Sequence, residues 1–161
     1  MSSVDSLLHH PLVVALDYKP GDDIRRSKWT CRTRLPERGF VFQDKPIRAS
    51  RQSTSLDEAD IAALACGWLR RRGVDVHCSM LGLVHPSEGK IWAVDIVGER
   101  KKQAVIAATY FSNKRKGRAR SRMREYTARL RDVCHSIYKV RNPVTAVINV
   151  YGAGRVEGEF L

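Results

Sequence analysis

The hydrophobic pattern of residues 55–73 predicts an amphipathic helix with signals at both ends. Its apolar residues recur at the spacing of one helical face, at Ile61, Leu64, Ala65 and Trp68. Ser55 and Glu58 fit a capping box, in which each side chain accepts a hydrogen bond from the backbone N–H of the other residue. Gly73 is a favourable helix end. The arginines before it, at positions 70–72, suit either the helix dipole alone or phosphate contact as well.

Three strand patterns follow this helix. Residues 74–80 alternate between apolar and polar side chains, which predicts a strand with one buried face. The runs 91–97 and 104–111 are apolar almost throughout, which is typical of strands covered on both faces. We expect a loop over residues 83–90 and a charged turn over residues 98–102, so that the last two strands form a hairpin.

A long second helix is predicted after the hairpin, with an apolar stripe at Met123, Tyr126, Thr127, Leu130, Val133, Cys134, Ile137 and Tyr138. Pro143 ends this helix because proline lacks the N–H that a helix interior needs. Residues 144–150 alternate again and predict a final strand. The fold class is therefore α+β, a small mixed sheet in α-β-β-β-α-β order with two packed helices.

The N-terminal third is irregular and is broken by several prolines and glycines. Short β-like runs occur at residues 12–16, 29–33 and 40–42, between these breaks. We therefore expect residues 1–54 to form an N-terminal arm or edge hairpin with a linker, and residues 55–161 to form a single α+β domain.

The overall composition is that of a globular protein, with 161 residues, 43% hydrophobic and 29% charged. No run of 18 apolar residues predicts a membrane span, and the N-terminus lacks the features of a signal peptide. The four cysteines are widely spaced, which favours reduced thiols. We expect a cytoplasmic, nucleoid or nuclear protein that is not secreted and does not bind membranes.

Positive charge is concentrated in one part of the chain. The net charge is +12, and residues 97–141 alone carry 14 Lys or Arg against 3 Asp or Glu. So dense an excess repels itself unless a polyanion neutralises it, and nucleic acid, DNA or RNA, is the common cellular polyanion. An acidic protein partner and an ordinary solvated face are the alternatives. Solvated helices usually carry both signs at i, i+4 spacing, but this one offers only Glu125 and Asp132.

Successive residues placed 100° apart put the arginines of the second helix on both sides of its apolar stripe. One flank carries Arg120, Arg124 and Arg131, and the other carries Arg118, Arg122 and Arg129. Duplex binding is favoured, because stacking of single strands needs exposed aromatic residues, and those nearby have core-facing patterns. The candidate nucleic-acid-binding residues are Arg100, Lys101, Lys102, Lys114, Arg115, Lys116, Arg118, Arg120, Arg122, Arg124, Arg129 and Arg131.

The competing class is an enzyme, a Mg²⁺-dependent nuclease that would use Asp95, Glu99 and Lys101. The element order resembles that of the restriction-endonuclease-like nuclease core. That family, however, places its aspartate and its acid-x-lysine pair on two adjacent strands. Here all three residues belong to one strand and the turn after it, and the next strand, 104–111, contains no acid. We therefore favour binding without catalysis and a structural role for Asp95.

A second, partial resemblance covers residues 56–139. Double-stranded-RNA-binding domains share the α-β-β-β-α order, with a histidine in the first β-turn and a lysine cluster before the second helix. His85 and the segment Asn113–Lys116 lie in the corresponding places of this chain. The resemblance implies phosphate contacts across a groove of duplex RNA.

No cofactor or metal is expected. The sequence has neither a Walker loop nor a Rossmann glycine fingerprint. His77 and Cys78 alternate on one strand, and Cys134 and His135 face different ways on one helix, so neither pair converges on one ion.

Overall fold

The fold is described from a computed structural model of the chain. The structure describes residues 3–19, 28–31, 35–43, 56, 58–111, 118–152 and 154–161. Within these ranges the α-helices are α1 (Ser3–Leu8), α2 (Glu58–Arg70) and α3 (Arg118–Ser136). The strands are β1 (Val13–Lys19), β2 (Lys28–Cys31), β3 (Val41–Gln43), β4 (Asp75–His85), β5 (Lys90–Arg100), β6 (Gln103–Phe111), β7 (Val144–Val150) and β8 (Val156–Phe160).

These strands form one mixed sheet. Seven of them follow the order β2-β1-β4-β5-β6-β7-β8, and β3 pairs with the beginning of β5. The β3–β5 and β6–β7 pairs are parallel, and the other pairs are antiparallel. Helix α3 makes the crossover that two parallel neighbours require. The predicted α+β class is confirmed, and the α-β-β-β-α-β order is confirmed over residues 58–150; β8 then adds a strand that was not predicted.

Helices α2 and α3 cover opposite faces of this sheet. Alternate residues of a strand point to opposite faces. On β6, Ile106 packs in a cluster with Met123 of α3, whereas Val105 packs in a second cluster with Ile61 of α2. All of these side chains are buried. The prediction that β5 and β6 are covered on both faces is therefore confirmed.

The described parts of the N-terminal third pack against this core. β1 pairs with β4 and forms an edge hairpin with β2, and Val4 and Leu7 of α1 are buried on the α3 side. The hydroxyl of Tyr138 donates to the carbonyl of Leu12 (2.8 Å) and accepts from the amide of Val84 (2.6 Å). One buried hydroxyl thus joins the N-terminal segment, β4 and the end of α3.

Two predicted loops are shorter than expected. β4 continues through His85, because Leu83 and Val84 pair with Trp92 and Ile91 in the core. The loop predicted over residues 83–90 is therefore reduced to residues 86–89. β5 continues through Arg100, so the charged turn predicted over residues 98–102 is reduced to residues 101 and 102. β4 also contains a bulge at His77, where the register shifts by one residue.

Two elements were not predicted at all, α1 and β8. β8 carries two glutamates and a glycine among five residues and has no continuous apolar run. It pairs with β7 along its whole length, and Gly158 leaves room for Trp68, whose nearest ring atom would lie 2.6 Å from a Cβ placed there.

Both ends of α2 were predicted from the sequence. Gly73 takes a left-handed φ of 80°, and the amide of Val74 donates to the carbonyl of Leu69 (3.1 Å), which confirms the predicted glycine end. The predicted capping box depends on Ser55, which lies outside the described residues. No helix in the described ranges is long and apolar enough to span a membrane.

Candidate nucleic-acid interface

One flank of α3 is paired with the last strand of the sheet. Nε and Nη2 of Arg124 lie 2.6 and 2.7 Å from the two carboxylate oxygens of Glu159 on β8. Nη2 of Arg120 lies 3.4 Å from the same carboxylate. These hydrogen bonds, those of Arg124 above all, hold the pKa of the Glu159 carboxyl below its ordinary value of 4.5. The expectation that α3 lacks acidic partners is therefore wrong for this flank, because the acid comes from a strand 35 residues away.

The third arginine of this flank is also engaged with the sheet. Arg131 is half-buried, and its Nη2 donates to the hydroxyl of Thr145 on β7 (3.0 Å). Its Nε is buried without a hydrogen-bond partner. Arg120, Arg124 and Arg131 therefore face β7 and β8, and each makes at least one hydrogen bond there.

The opposite flank is different. Arg122 and Arg129 are exposed, and neither has an ion pair or a side-chain hydrogen bond within the described residues. They are seven residues apart, which corresponds to about 10 Å along a helix axis. Of Arg118 only the backbone is described, as the first residue of α3. Lys114, Arg115 and Lys116 lie outside the described residues.

The remaining candidates lie at the end of the sheet where β5 turns into β6. Arg100 and Gln103 are the last paired residues of this hairpin, and Lys101 and Lys102 form its two-residue loop. Both lysines are exposed and have left-handed φ values, 50° and 67°. The C-terminal end of α2 is at the same end of the sheet, because it leads directly into Asp75, the partner of Glu99 across β4 and β5.

Two arginines at this end of the sheet lie over aromatic rings. The guanidinium carbon of Arg100 is 4.2 Å from the ring centre of Phe160, and that of Arg72 is 3.8 Å from the ring centre of Trp68. The two rings contact each other, with centroids 5.4 Å apart. The sequence interpretation missed this arrangement, although the i, i+4 spacing of Trp68 and Arg72 on a helix is a signal for half of it.

The three residues of the nuclease alternative do not converge. Asp95 is buried, and its Oδ2 accepts a hydrogen bond from the amide of Thr109 (2.6 Å). Glu99 lies four residues further along the same strand, about 13 Å away at the usual rise per residue. It is 3.7 Å from His77, and Lys101 is in the hairpin loop. In the described part of the chain, no three His, Cys, Asp or Glu side chains are placed to hold a metal ion.

The position of Asp95 explains its burial. The β5–β6 ladder ends at the pair Ile96 and Ala107. Further toward the start of β5, residues 90–92 pair with β3. Asp95 lies in the interval between these two ladders. Its carboxylate accepts the N–H that β6 presents there, so the buried amide of Thr109 keeps a hydrogen bond.

A small cavity lies beside Arg120, between α3 and the last strands. Its volume is about 30 Å³, and it is lined by Tyr110, Arg120, Val147, Asn149, Glu157, Gly158 and Glu159. The Oδ1 atom of Asn149 is buried there without a hydrogen-bond partner. Such a volume accommodates about two water molecules. The cavity is therefore too small for a nucleotide or a comparable organic substrate.

His85, the residue that carries the resemblance to double-stranded-RNA-binding domains, closes a turn. Its Nδ1 accepts the amide of Glu88 (3.3 Å), and its Nε2 lies 3.7 Å from the carboxylate of the same residue. His85 and the end of β6 lie at the same end of the sheet, because β4 and β6 are both antiparallel to β5. The lysine cluster of this resemblance lies outside the described residues.

No family model matches the chain, and no curated protein sequence matches it.

Proposed function

We propose that this protein binds nucleic acid through the phosphate backbone and that it does so without catalysis. The observation that carries the proposal is the difference between the two flanks of α3. Glu159 takes up Arg120 and Arg124, but Arg122 and Arg129 are exposed and unpaired among the described residues. Arginines held on a rigid helix without internal counter-charges suit contacts with phosphate oxygens.

The described aromatic side chains favour a duplex over a single strand. Single-strand binding relies on exposed aromatic rings on which bases stack. The described rings in the core cluster that includes α3 are all buried, namely Trp92, Tyr110, Tyr126 and Tyr138. Every Phe, Trp and Tyr side chain that the structure describes is buried or half-buried. Phosphate contacts, which carry no sequence information themselves, are then the main source of affinity.

A salt titration tests this proposal. With roughly 5 to 8 phosphate contacts, the slope of log K against log salt for duplex DNA is expected at about −4 to −7. In the double variant Arg122→Gln/Arg129→Gln we expect the slope to become less negative by about 2. The matched double variant Arg120→Gln/Arg124→Gln removes the same charge from the flank that Glu159 neutralises, and we expect a smaller change in slope.

Two results would contradict the proposal. A wild-type slope near zero would remove the nucleic-acid interpretation and favour an acidic protein partner. Equal changes in the two double variants would mean that the charge of α3 acts only in bulk and that its two flanks are not distinct.

A further inference from the structure

Two arginines on the face opposite α3 are held by aromatic rings instead of by acids. Arg72 lies over Trp68 and Arg100 lies over Phe160, and the two rings are in contact. We name Arg72, Trp68, Phe160 and Arg100 the stacked-arginine surface. Trp68 and Phe160 belong to the core cluster on the α2 side of the sheet. This surface and the outer flank of α3 therefore lie on opposite faces.

An aromatic ring orients a guanidinium without neutralising it. The ring covers one face of the planar group, and the N–H groups at its edge stay free for hydrogen bonds. Arg72 uses one of them, from Nη1 to the carbonyl of Trp68 (3.1 Å). The acids at this end of the sheet, Asp75 and Glu99, lie 3.5 and 3.7 Å from His77. Neither Arg72 nor Arg100 has an acidic partner within the described residues.

The loop next to Arg100 adds positive charge at a conformational cost. Lys101 and Lys102 both adopt left-handed φ values. Two-residue hairpin loops of this kind favour Asn-Gly, because at positive φ the Cβ crowds the following carbonyl oxygen; glycine has no Cβ, and asparagine can compensate with a local hydrogen bond. Two lysines at strained, exposed positions point to a role beyond closing the turn.

We propose that the stacked-arginine surface is a second phosphate-binding surface, so that one molecule bridges two nucleic-acid segments. This inference rests on the proposed function. One segment would lie along Arg122 and Arg129 of α3, and the other would contact Arg72 and Arg100. A straight duplex along α3 does not reach the second surface, because the sheet lies between them.

A two-duplex capture assay tests the bridging. One 20-base-pair duplex is immobilised, the protein is added at low salt, and a second, fluorescent duplex of the same length is then supplied in solution. The wild-type protein is expected to capture the second duplex. The variant Arg72→Gln/Arg100→Gln is expected to lose second-duplex capture by about tenfold, a larger loss than it suffers in binding the immobilised duplex, because Arg122 and Arg129 are intact.

The matched control removes the same charge from elsewhere in the described chain. Arg155 also lies over an aromatic ring, that of Tyr151 at 4.3 Å, but it pairs with Glu157 at 3.6 Å. Arg38 is exposed at the end of the short 3₁₀ helix Pro36–Arg38. The control variant Arg38→Gln/Arg155→Gln is expected to capture the second duplex as well as wild type does. If the stacked-arginine variant does not fold, as judged by circular dichroism, the variant Lys101→Gln/Lys102→Gln takes its place. It removes two charges beside Arg100 without disturbing the rings, and it is expected to reduce capture of the second duplex.

The outcomes separate this inference from the proposed function. Failure of the wild-type protein to bind the first duplex would overturn both. Binding of the first duplex without capture of the second would overturn bridging alone. The same result is expected if one duplex curves around the end of the sheet and occupies both surfaces. Capture that persists in both the stacked-arginine and the lysine variants would also overturn it, since self-association or another surface would then make the bridge.

Discussion

Glu159 and Phe160 are neighbours on β8 whose side chains lie on opposite faces of the sheet, and each holds an arginine. Glu159 accepts two hydrogen bonds from Arg124, whereas Phe160 lies under the guanidinium of Arg100. The carboxylate neutralises its arginine, but the ring leaves the charge of Arg100 in place. The last strand therefore decides, on each face, how much positive charge is left for a polyanion.

Removing Glu159 is expected to strengthen nucleic-acid binding. The substitution Glu159→Gln frees Arg120 and Arg124 from their shared carboxylate. We expect tighter duplex binding and a salt slope that is more negative by up to about 2, since two further cations become available to phosphates. Glu157→Gln, on the same strand but paired with Arg155, is the control. Unchanged binding in Glu159→Gln would mean that this flank does not face the ligand.

The same carboxylate gives a pH dependence of known sign. The pKa of Glu159 is lowered in the folded protein, so its pairing stabilises the fold above the ordinary value of 4.5 and is lost as the pH falls through the lower folded value. At neutral pH we expect wild type to have a higher urea midpoint than Glu159→Gln. That difference should shrink below pH 4.5. A difference that is constant from neutral to acidic pH would show that the carboxylate charge is not involved.

The strained hairpin loop predicts opposite effects on stability and binding. Replacing Lys101 and Lys102 by Asn and Gly suits their left-handed backbone, so we expect the free energy of unfolding to rise by about 1 to 2 kcal/mol. The loss of two charges should weaken duplex binding. Thermal unfolding and the salt titration measure the two effects on one sample. If stability rises but binding is unchanged, these lysines do not contact nucleic acid.

The elements with many apolar residues could be predicted from the sequence because the spacing of those residues indicates both the type of element and the face that it buries. The continuous runs of β5 and β6 and the stripe of α3 are of this kind. α1 and β8 could not be predicted, since their burial depends on distant partners. Leu7 is buried only because α1 packs on the sheet, and β8 has no apolar run of its own.

The sequence identified the arginines of α3 as a group but not how they are paired. The i, i+4 rule considers only partners on the same helix, and therefore it missed the contact of Arg124 with Glu159. It also gave no reason to connect Trp68 with Phe160, because those residues meet only through the arrangement of β8 beside α2. Distinguishing a neutralised arginine from a free one needed the tertiary structure.

Gly158 links the stability of β8 to the stacked-arginine surface. A Cβ at this position would lie 2.6 Å from Trp68, a buried side chain that cannot move aside freely. We expect Gly158→Ala to lower the free energy of unfolding by about 1 to 3 kcal/mol through overpacking. Gly67→Ala is the control, because its added Cβ meets only Arg71 at 3.5 Å, and an alanine favours the helix. Urea unfolding measures both, and a neutral Gly158→Ala would contradict the packing.

Substitutions of Asp95 distinguish the binding hypothesis from the nuclease hypothesis. Its buried carboxylate accepts the N–H of Thr109, so Asp95→Ala should leave that amide unsatisfied and cost about 1 to 3 kcal/mol. Asp95→Asn keeps an oxygen acceptor at the same place and should cost less. Neither change touches the exposed arginines, so the folded fraction of both variants should bind duplex with the wild-type salt slope.

The nuclease interpretation predicts the reverse for the same residue. Wild-type protein incubated with duplex DNA, single-stranded DNA or structured RNA would then cut in Mg²⁺ or Mn²⁺ and stop when a chelator is added. Asp95→Asn and Glu99→Gln would bind normally but lose this cleavage. We expect no chelator-sensitive cleavage by any of these proteins. The carboxylate of Asp95 accepts a hydrogen bond from a backbone amide, and Glu99 lies near His77, about 13 Å from Asp95 along the strand. Cleavage that disappears in both variants would make Asp95 a metal ligand and the protein an enzyme.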